Sequence, residues 1–250
     1  MLRQIKLTSR KTQAQINREW DTIVPVRDAQ QRSGDISFLR ILCPWISTTV
    51  RDARAVLDVG CGSGRLTEVL AAKGARVVGV DPSSGSIALA RQSHPAGSYH
   101  VGTLETFASE NPHEKFDLAV ANMVLMDVPD LDALLAGVAD LVPGGRFVAT
   151  IAHPAFWPLY LGYAGNEAFS YGTEVFVEAP YVVNNRQFGA ATTHVHRPVS
   201  RYISAFAEAG MTITRMEELR GTEPRSEFPF PRFLAIEARI SDGAPRRGSS

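Results

Sequence analysis

Val56-Leu57-Asp58-Val59-Gly60-Cys61-Gly62-Ser63-Gly64-Arg65-Leu66 is the stretch that decides the fold. A short apolar run ends beside an acid, three glycines follow at alternate positions, and a helical pattern begins. Downstream, Val77-Val78-Gly79-Val80 is a second apolar run, and it ends in Asp81. The pattern predicts a strand, a tight turn, a helix from Ser63 to Lys73, and a second strand with a carboxylate at its tip. Such a unit holds an adenosine-containing ligand at the carboxyl ends of parallel strands.

The glycines carry the first physical argument. The chain must turn sharply at Gly60, Gly62 and Gly64 while a ligand approaches bare backbone, and a residue without Cβ permits both. The following helix points its free N–H groups at the loop. Asp81 is placed to accept hydrogen bonds from both hydroxyls of a ribose. A dinucleotide fingerprint, G-x-G-x-x-G, would need its last glycine at position 65, which is Arg65. The spacing therefore disfavours a nucleotide-binding oxidoreductase, and the Gly-Lys-Ser/Thr of a phosphate-binding loop is not in the stretch.

With these residues in place, the sequence resembles the class I S-adenosylmethionine-dependent methyltransferases. The resemblance is carried by Leu57 to Gly64, by Gly79-Val80-Asp81-Pro82-Ser83, by Phe116-Asp117-Leu118-Ala119-Val120-Ala121-Asn122, and by Leu141-Val142-Pro143-Gly144-Gly145-Arg146-Phe147. It runs in register from about residue 50 to residue 152 and resumes near 196–240. It implies an α/β, Rossmann-like, seven-stranded, mostly parallel sheet with helices on both faces. It also implies S-adenosyl-L-methionine as cofactor and S-adenosyl-L-homocysteine as product. Met123 to Asp130, His153-Pro154 and His196-Arg197-Pro198-Val199-Ser200 look like small-molecule enzymes of the bacterial type. Many members of that group carry His where this chain has Asp127, so the identity of a catalytic base stays open.

The rest of the chain fills in around that core. Strands are expected at 55–59, 76–80, 99–103, 116–121 and 146–151, with helices at 84–92 and 130–141. Residues 1–14 read as loose, 14–20 as a weak helix, and 38–50 as a helix interrupted at Pro44. A late helix, 200–209, precedes two strands, 211–217 and 233–240, that pair antiparallel because no helix separates them. Alternating strands and helices imply a parallel sheet covered on both faces. The expected organisation has five parts. Residues 1–50 form an N-terminal helical segment contributing to a lid, and 51–152 form the cofactor-binding core. Residues 153–197 form an aromatic-rich substrate cap inserted after the fifth strand, 198–240 the C-terminal helix and last two strands, and 241–250 a disordered tail.

Site residues follow from position along this plan. Asp58, Gly60, Gly62 and Gly64 are expected at the methionine part of the cofactor, with a cap on its own turn as the lesser alternative for Asp58. Asp81 is expected at the ribose, Pro82 and Ser83 at one adenine face, and Thr103, Leu104 and Glu105 at the adenine edge. Ala121, Asn122 and Met123 lie beneath the ligand at the tip of the fourth strand. Trp20 and Arg27 either fold over the sulfonium end or belong to the core. Nine aromatic residues fall between Phe156 and Phe188, too irregularly for one helix. Placed after a strand end, they suit a lid over a small, partly hydrophobic acceptor, or a dimer contact. Phe156, Trp157 and Tyr160 are taken as acceptor-binding, with Arg197 poised for an acceptor carboxylate.

Methyl transfer from a sulfonium needs alignment more than activation, but a hydroxyl or protonated amine must lose a proton to a base. His153, His196 and Asp127 are the catalytic candidates. Each has an alternative structural role, and His194 is weaker than any of them. His94, His100 and His113 share no setting. No cluster has metal-ligand spacing, so no metal is expected. A net charge of +0 gives no field for a nucleic-acid backbone. An apolar content of 44% supports a sizeable core. Cys43 and Cys61 suggest a reducing compartment, and no stretch has the length of a membrane span. The expectation is a cytoplasmic enzyme, monomer or homodimer, that methylates O or N of a small molecule, in secondary metabolism, without a nucleic-acid or membrane partner. C-methylation, nucleic-acid methylation and a non-catalytic cofactor-binding scaffold are the alternatives.

Overall fold

The computed structural model describes residues 5–8, 10–32, 36–50, 52–95, 97–183 and 186–242. In chain order the elements are β1 (Lys6–Thr8), α1 (Gln13–Arg32), a π-helical turn (Phe38–Leu42), α2 (Cys43–Thr49), β2 (Ala55–Val59), α3 (Arg65–Ala71), β3 (Arg76–Asp81), α4 (Ser84–Ser93), β4 (Ser98–Val101) and α5 (Leu104–Glu110). There follow β5 (Leu118–Asn122), a 3-10 turn (Leu125–Asp127), α6 (Leu131–Leu141), β6 (Arg146–Ala152), α7 (Trp157–Leu161), β7 (Val175–Val183), β8 (Arg186–His196), α8 (Val199–Glu208), β9 (Met211–Leu219) and β10 (Phe233–Ile240).

Seven strands form the main sheet in the order β4-β3-β2-β5-β6-β10-β9. The first five are parallel, and β10 runs antiparallel to both β6 and β9. The runs Val56-Leu57 in β2, Leu118-Ala119-Val120-Ala121 in β5 and Phe147-Val148-Ala149 in β6 are apolar at successive positions because both faces are covered, as parallel sheets require. Neighbouring residues point to opposite layers. Leu57 and Val59 join Phe107, Leu135, Val138, Phe147 and Phe206 under α5, α6 and α8. Val56 joins Trp45, Ile46, Leu66, Leu70 and Val148 under α2 and α3. This Rossmann-like sheet puts the tips of β2, β3, β4, β5 and β6 along one edge, where the site lies.

Four local expectations change. The segment 153–197 is not irregular throughout: β7 and β8 form an antiparallel hairpin whose register shifts between Pro180 and Val182. Proline inside a strand pattern disguised it, since that residue cannot donate to a ladder. The N-terminal stretch is not all loose either, because β1 pairs with β7, Leu7 opposite Val177, to complete a separate three-stranded sheet. Helix α1 continues past Trp20 through Pro25. Tertiary packing sustains it, with Ile16 and Trp20 against Phe176 and Val195 of the small sheet. At Pro44 the helix is not broken; the π-turn absorbs the change, with Cys43 N donating to Phe38 O before the proline enters the first turn of α2. Residues 243–250 of the expected tail lie outside the described residues.

Candidate functional site

At the end of β2 the chain enters three left-handed positions, with φ of 65° at Gly60, 53° at Gly62 and 80° at Gly64. A Cβ on Gly60 would stand 2.5 Å from Val124 Cγ2, whereas one on Gly62 would meet nothing within 4 Å. Gly60 is thus glycine for packing and conformation. Gly62 is glycine for conformation alone, and it leaves its main chain open to the space above the sheet.

Two carboxylates hold this turn. Asp81, at the tip of β3, accepts from Gly62 N at 2.9 Å and from Ser83 N at 2.8 Å. Burial pushes its pKa up to about 6, against the pull of those two N–H groups. Asp58 is buried, and its Oδ2 accepts from Thr67 Oγ1 at 2.6 Å. Burial raises it to about 7, with Thr67 opposing and the nearby Asp81 charge adding. Ser83 caps α4 by accepting from Ser86 N at 3.0 Å, and its hydroxyl donates to Asp21 Oδ1 on α1 at 2.5 Å. Thr103 caps α5 in the same way. At the tip of β5, Met123 takes φ 60°, a strained conformation for a side chain of that size. The turn that follows carries Asp127.

One cavity of about 1510 Å³ joins these parts, large enough for a cofactor and an acceptor together. Its wall includes Asp58, Gly60, Gly62, Asp81, Pro82, Ser83, Thr103, Leu104, Glu105, Asn122 and Met123 on the sheet side. On the opposite side stand Trp20, Arg27, Asp127, Trp157, Tyr160 and Arg197. Gly64, Ala121 and Phe156 do not line it: Gly64 lies beside the Tyr99 hydroxyl, Ala121 is buried in the sheet, and Phe156 stacks on Phe230. Cys61 also lines the cavity, as a thiol that burial pushes well up.

The three catalytic candidates separate sharply. His153 sits outside the cavity wall, its Nε2 2.9 Å from Glu218 Oε1 and its Nδ1 accepting from Ala155 N; burial lowers its pKa. His196 also faces away, with Nε2 donating to Tyr171 O at 3.0 Å, and burial lowers it as well. Asp127 faces the cavity. Burial raises its carboxyl well above the usual range, partly countered by Arg27 and Arg197 and reinforced by Glu19. Arg197 is almost wholly buried. It donates to Leu125 O at 3.0 Å, Val128 O at 2.8 Å and Pro129 O at 2.9 Å, and it pairs with Glu174. Its fork is committed to bracing the Asp127 loop rather than open to an acceptor carboxylate.

Sequence reasoning ranked His194 below the other candidates and missed the wall residues Arg232 and Lys11. His194 lines the cavity with Nε2 3.1 Å from the Tyr163 hydroxyl. Arg232 lies over Tyr160, 4.3 Å from the ring centre, and pairs with Glu223. Lys11 bridges Glu19 of α1, Glu178 of β7 and Thr193 of β8. Nothing local marks Lys11. Among the described residues no three His, Cys, Asp or Glu side chains are grouped to hold a metal, and no helix is long and apolar enough to cross a membrane.

Comparison with known proteins agrees with this geometry. Residues 57–149 match the methyltransferase domain family. The ubiquinone biosynthesis O-methyltransferase of Aromatoleum aromaticum is 37% identical over 142 residues, covering 54% of this chain and 58% of that one. A second, from Pseudomonas fluorescens, is 36% identical over 149 residues, covering 56% and 61%. The chain thus spans about half the length of the curated relatives it matches. A solved 1,6-didemethyltoxoflavin-N1-methyltransferase from Burkholderia thailandensis shares the fold over 96% of both chains, with TM-score 0.62 and 19% identity. Residues 57–149 are thus similar to the methyltransferase domain family, and the seven-stranded sheet that carries them has the fold of solved S-adenosylmethionine-dependent methyltransferases, among them one from Listeria monocytogenes at 22% identity and TM-score 0.62.

Proposed function

We propose that the protein is an enzyme that methylates O or N of a small, partly hydrophobic metabolite at the expense of S-adenosyl-L-methionine. The observation that carries this is the single cavity in which the glycine turn and Asp81 share a wall with Asp127, Trp157 and Tyr160. The residues fit the cofactor: Gly62 leaves open space, and Asp81 keeps lone pairs beyond the two main-chain bonds it accepts. When bound, the cofactor supplies a methyl group on a cationic sulfur, a good leaving group. Asp58, Asp81 and the turn bind and orient it, and α1 with the 153–197 segment covers the cavity and excludes water. Asp127 takes the proton from the acceptor's O–H or N–H as the new bond to carbon forms. Burial raises that carboxyl above the ordinary range, which makes its ionised form a stronger base than a solvated carboxylate.

The O-methyltransferase names of the relatives favour oxygen as the methylated atom. The two free thiols, Cys43 and Cys61, suit a reducing cytoplasm. The acceptor is a metabolite outside the chain's own structure, and a role in secondary metabolism is part of this proposal. Calorimetry of the full chain with S-adenosylhomocysteine and NAD tests the assignment. Tight binding of the first alone is expected, and preference for NAD would end it. Asp127→Asn should leave that affinity within about twofold while abolishing methyl transfer to an identified acceptor, by roughly 100-fold or more.

A further inference from the structure

Arg197 stands between β8 and α8 and is 1% exposed. Its fork donates to Leu125 O at 3.0 Å, Val128 O at 2.8 Å and Pro129 O at 2.9 Å, and its Nε donates to Glu174 Oε2 at 2.8 Å. Leu125 precedes Asp127 and Val128 follows it, so the guanidinium grips the turn on both sides of that residue. A buried ion pair stabilises a fold little more than apolar residues of similar volume would. What a planar guanidinium adds, and an ammonium cannot, is several acceptors held at fixed angles at once.

This turn has reason to be held. It begins at Met123, whose φ of 60° is strained for a side chain of that size and persists only where the surroundings over-determine it. Met123 N donates to Thr150 O of β6 at 2.8 Å, and Asp127 N donates to Val124 O at 2.7 Å within the turn. Arg197 fixes the far side. The charged and titratable groups facing Asp127 are Arg27 and Glu19 from α1, Arg197 from the end of β8, and Tyr202 from α8. The two arginines favour an ionised carboxylate and Glu19 opposes it. Tyr202 stays a neutral phenol, since burial pushes it up to about 12. Arg197 thus acts on one residue in two ways, through the main chain around it and through charge.

We propose that Arg197 is a positioning residue for the methyl transfer: it clamps the turn that presents Asp127 to the cavity and supplies that carboxylate with counter-charge. Its donors are spent on the turn and on Glu174, so it acts on the acceptor's proton only through Asp127. The role rests on Asp127 as the proton acceptor of the proposed transfer.

Two variants separate clamp from charge. Arg197→Lys keeps the charge, but one ammonium cannot reach the carbonyls of Leu125, Val128 and Pro129 together. Arg197→Gln loses the charge as well. Both are compared with wild type as full-length, ligand-free protein, with thermal melts to confirm folding. Hydrogen exchange at the Asp127 amide should quicken by about tenfold or more in both, the worth of at least one lost hydrogen bond. The Asp127 carboxyl is followed by carbon NMR of aspartate-labelled protein and assigned by its absence in Asp127→Asn. It should titrate at a pH about one unit higher in Arg197→Gln than in Arg197→Lys. A packing role alone would loosen the turn without separating the two variants. In wild type, the Asp127 amide should exchange at least about 100-fold more slowly than an open chain, and this readout stands even if a variant does not fold. An unprotected wild-type amide, exchange unchanged in both variants, or equal titration in the two would overturn the proposal. S-adenosylhomocysteine affinity, measured by calorimetry, should stay within about twofold of wild type in Arg197→Lys. Wild type that does not bind it would undo the methyltransferase reading, whereas binding with an unclamped turn or an unshifted carboxyl undoes the role of Arg197 alone.

Discussion

The two walls of the cavity are built by different means. The sheet-side wall is main chain held by main chain: Gly60 N and Cys61 N both donate to Val80 O, and Asp81 pins Gly62 and Ser83. The opposite wall is a small sheet and a helix held by long side chains, with Lys11 reaching Glu19, Glu178 and Thr193, and Arg197 reaching the Asp127 turn. A wall made of backbone presents the same donors whatever the neighbouring side chains are, which suits a constant ligand. A wall made of side chains changes shape with single substitutions, which suits a ligand that differs between relatives. Substitutions on the first wall should therefore act on cofactor affinity, and those on the second on acceptor binding and local stability.

The largest expected effect breaks the comparison most directly. Asp81→Ala removes the acceptor of two main-chain N–H groups and the group placed for the ribose, so S-adenosylhomocysteine affinity should fall by roughly 100-fold or more. Asp127→Asn on the other wall should barely move it. Calorimetry on both variants, with thermal melts to confirm folding, decides the matter. Equal losses would mean that the walls are not functionally distinct.

The next effect belongs to the second wall. Lys11→Met leaves Glu19 and Glu178 facing each other with little solvent, their side chains 19% and 30% exposed. Removing one partner of a partly buried ion cluster should cost about 2 kcal/mol, lowering Tm by about 6 °C in a domain of this size. Proteolysis should then open the N-terminal segment first, and S-adenosylhomocysteine affinity should change less than in Asp81→Ala. A melt unchanged within error would show that the cluster does not hold the wall.

The same contrast explains what could be read in advance. The sheet-side wall is written in contiguous residues, because a glycine turn between β2 and α3 and an acid at the tip of β3 are local patterns with local causes. Register then carried Pro82, Ser83, Thr103 and Asn122 to the cavity without further information. The other wall depends on contacts between residues far apart in sequence, Lys11 with Glu178 and Thr193, or Tyr163 with His194. No spacing rule announces those. His153 was favoured because it follows a strand tip, but the β9 carboxylate of Glu218 draws its ring outward. Strand β7 was hidden by Pro180, which lies past the residues paired with β1, and the edge strand β1 by its brevity.

A pH series sharpens the electrostatic side of the comparison. The folded-state pKa of Asp58 is about 7, above its unfolded value near 3.9. Between those values the folded protein binds more protons than the unfolded chain, so stability falls as pH rises. The contribution is full below about pH 4 and is lost as pH passes through about 7, with Asp81 adding the same trend up to about 6. Across that window the ligand-free protein should lose up to about 4 kcal/mol from Asp58. Asp58→Asn, which keeps an acceptor for Thr67, should flatten that part of the slope in denaturant titrations from pH 4 to 8. A slope identical to wild type would assign it to other groups.

The smallest effect lies where the two walls touch. Ser83 caps α4 on the first wall and donates to Asp21 of α1 on the second, and Asp21 also accepts from Gly85 N at 3.3 Å. Ser83→Ala should cost about 1 kcal/mol through the lost cap, whatever α1 does. The part shared with α1 appears only as the coupling in a double-mutant cycle with Asp21→Ala, expected at about 0.5–1 kcal/mol for one hydrogen bond to a carboxylate near the surface. Measured without ligand, that coupling reports how firmly α1 is docked on the cofactor wall. Measured again with S-adenosylhomocysteine bound, it should rise if docking and ligand binding favour the same arrangement, since linkage is reciprocal. A coupling of zero in both states would mean that the backbone-built wall binds its ligand without regard to the side-chain-built one.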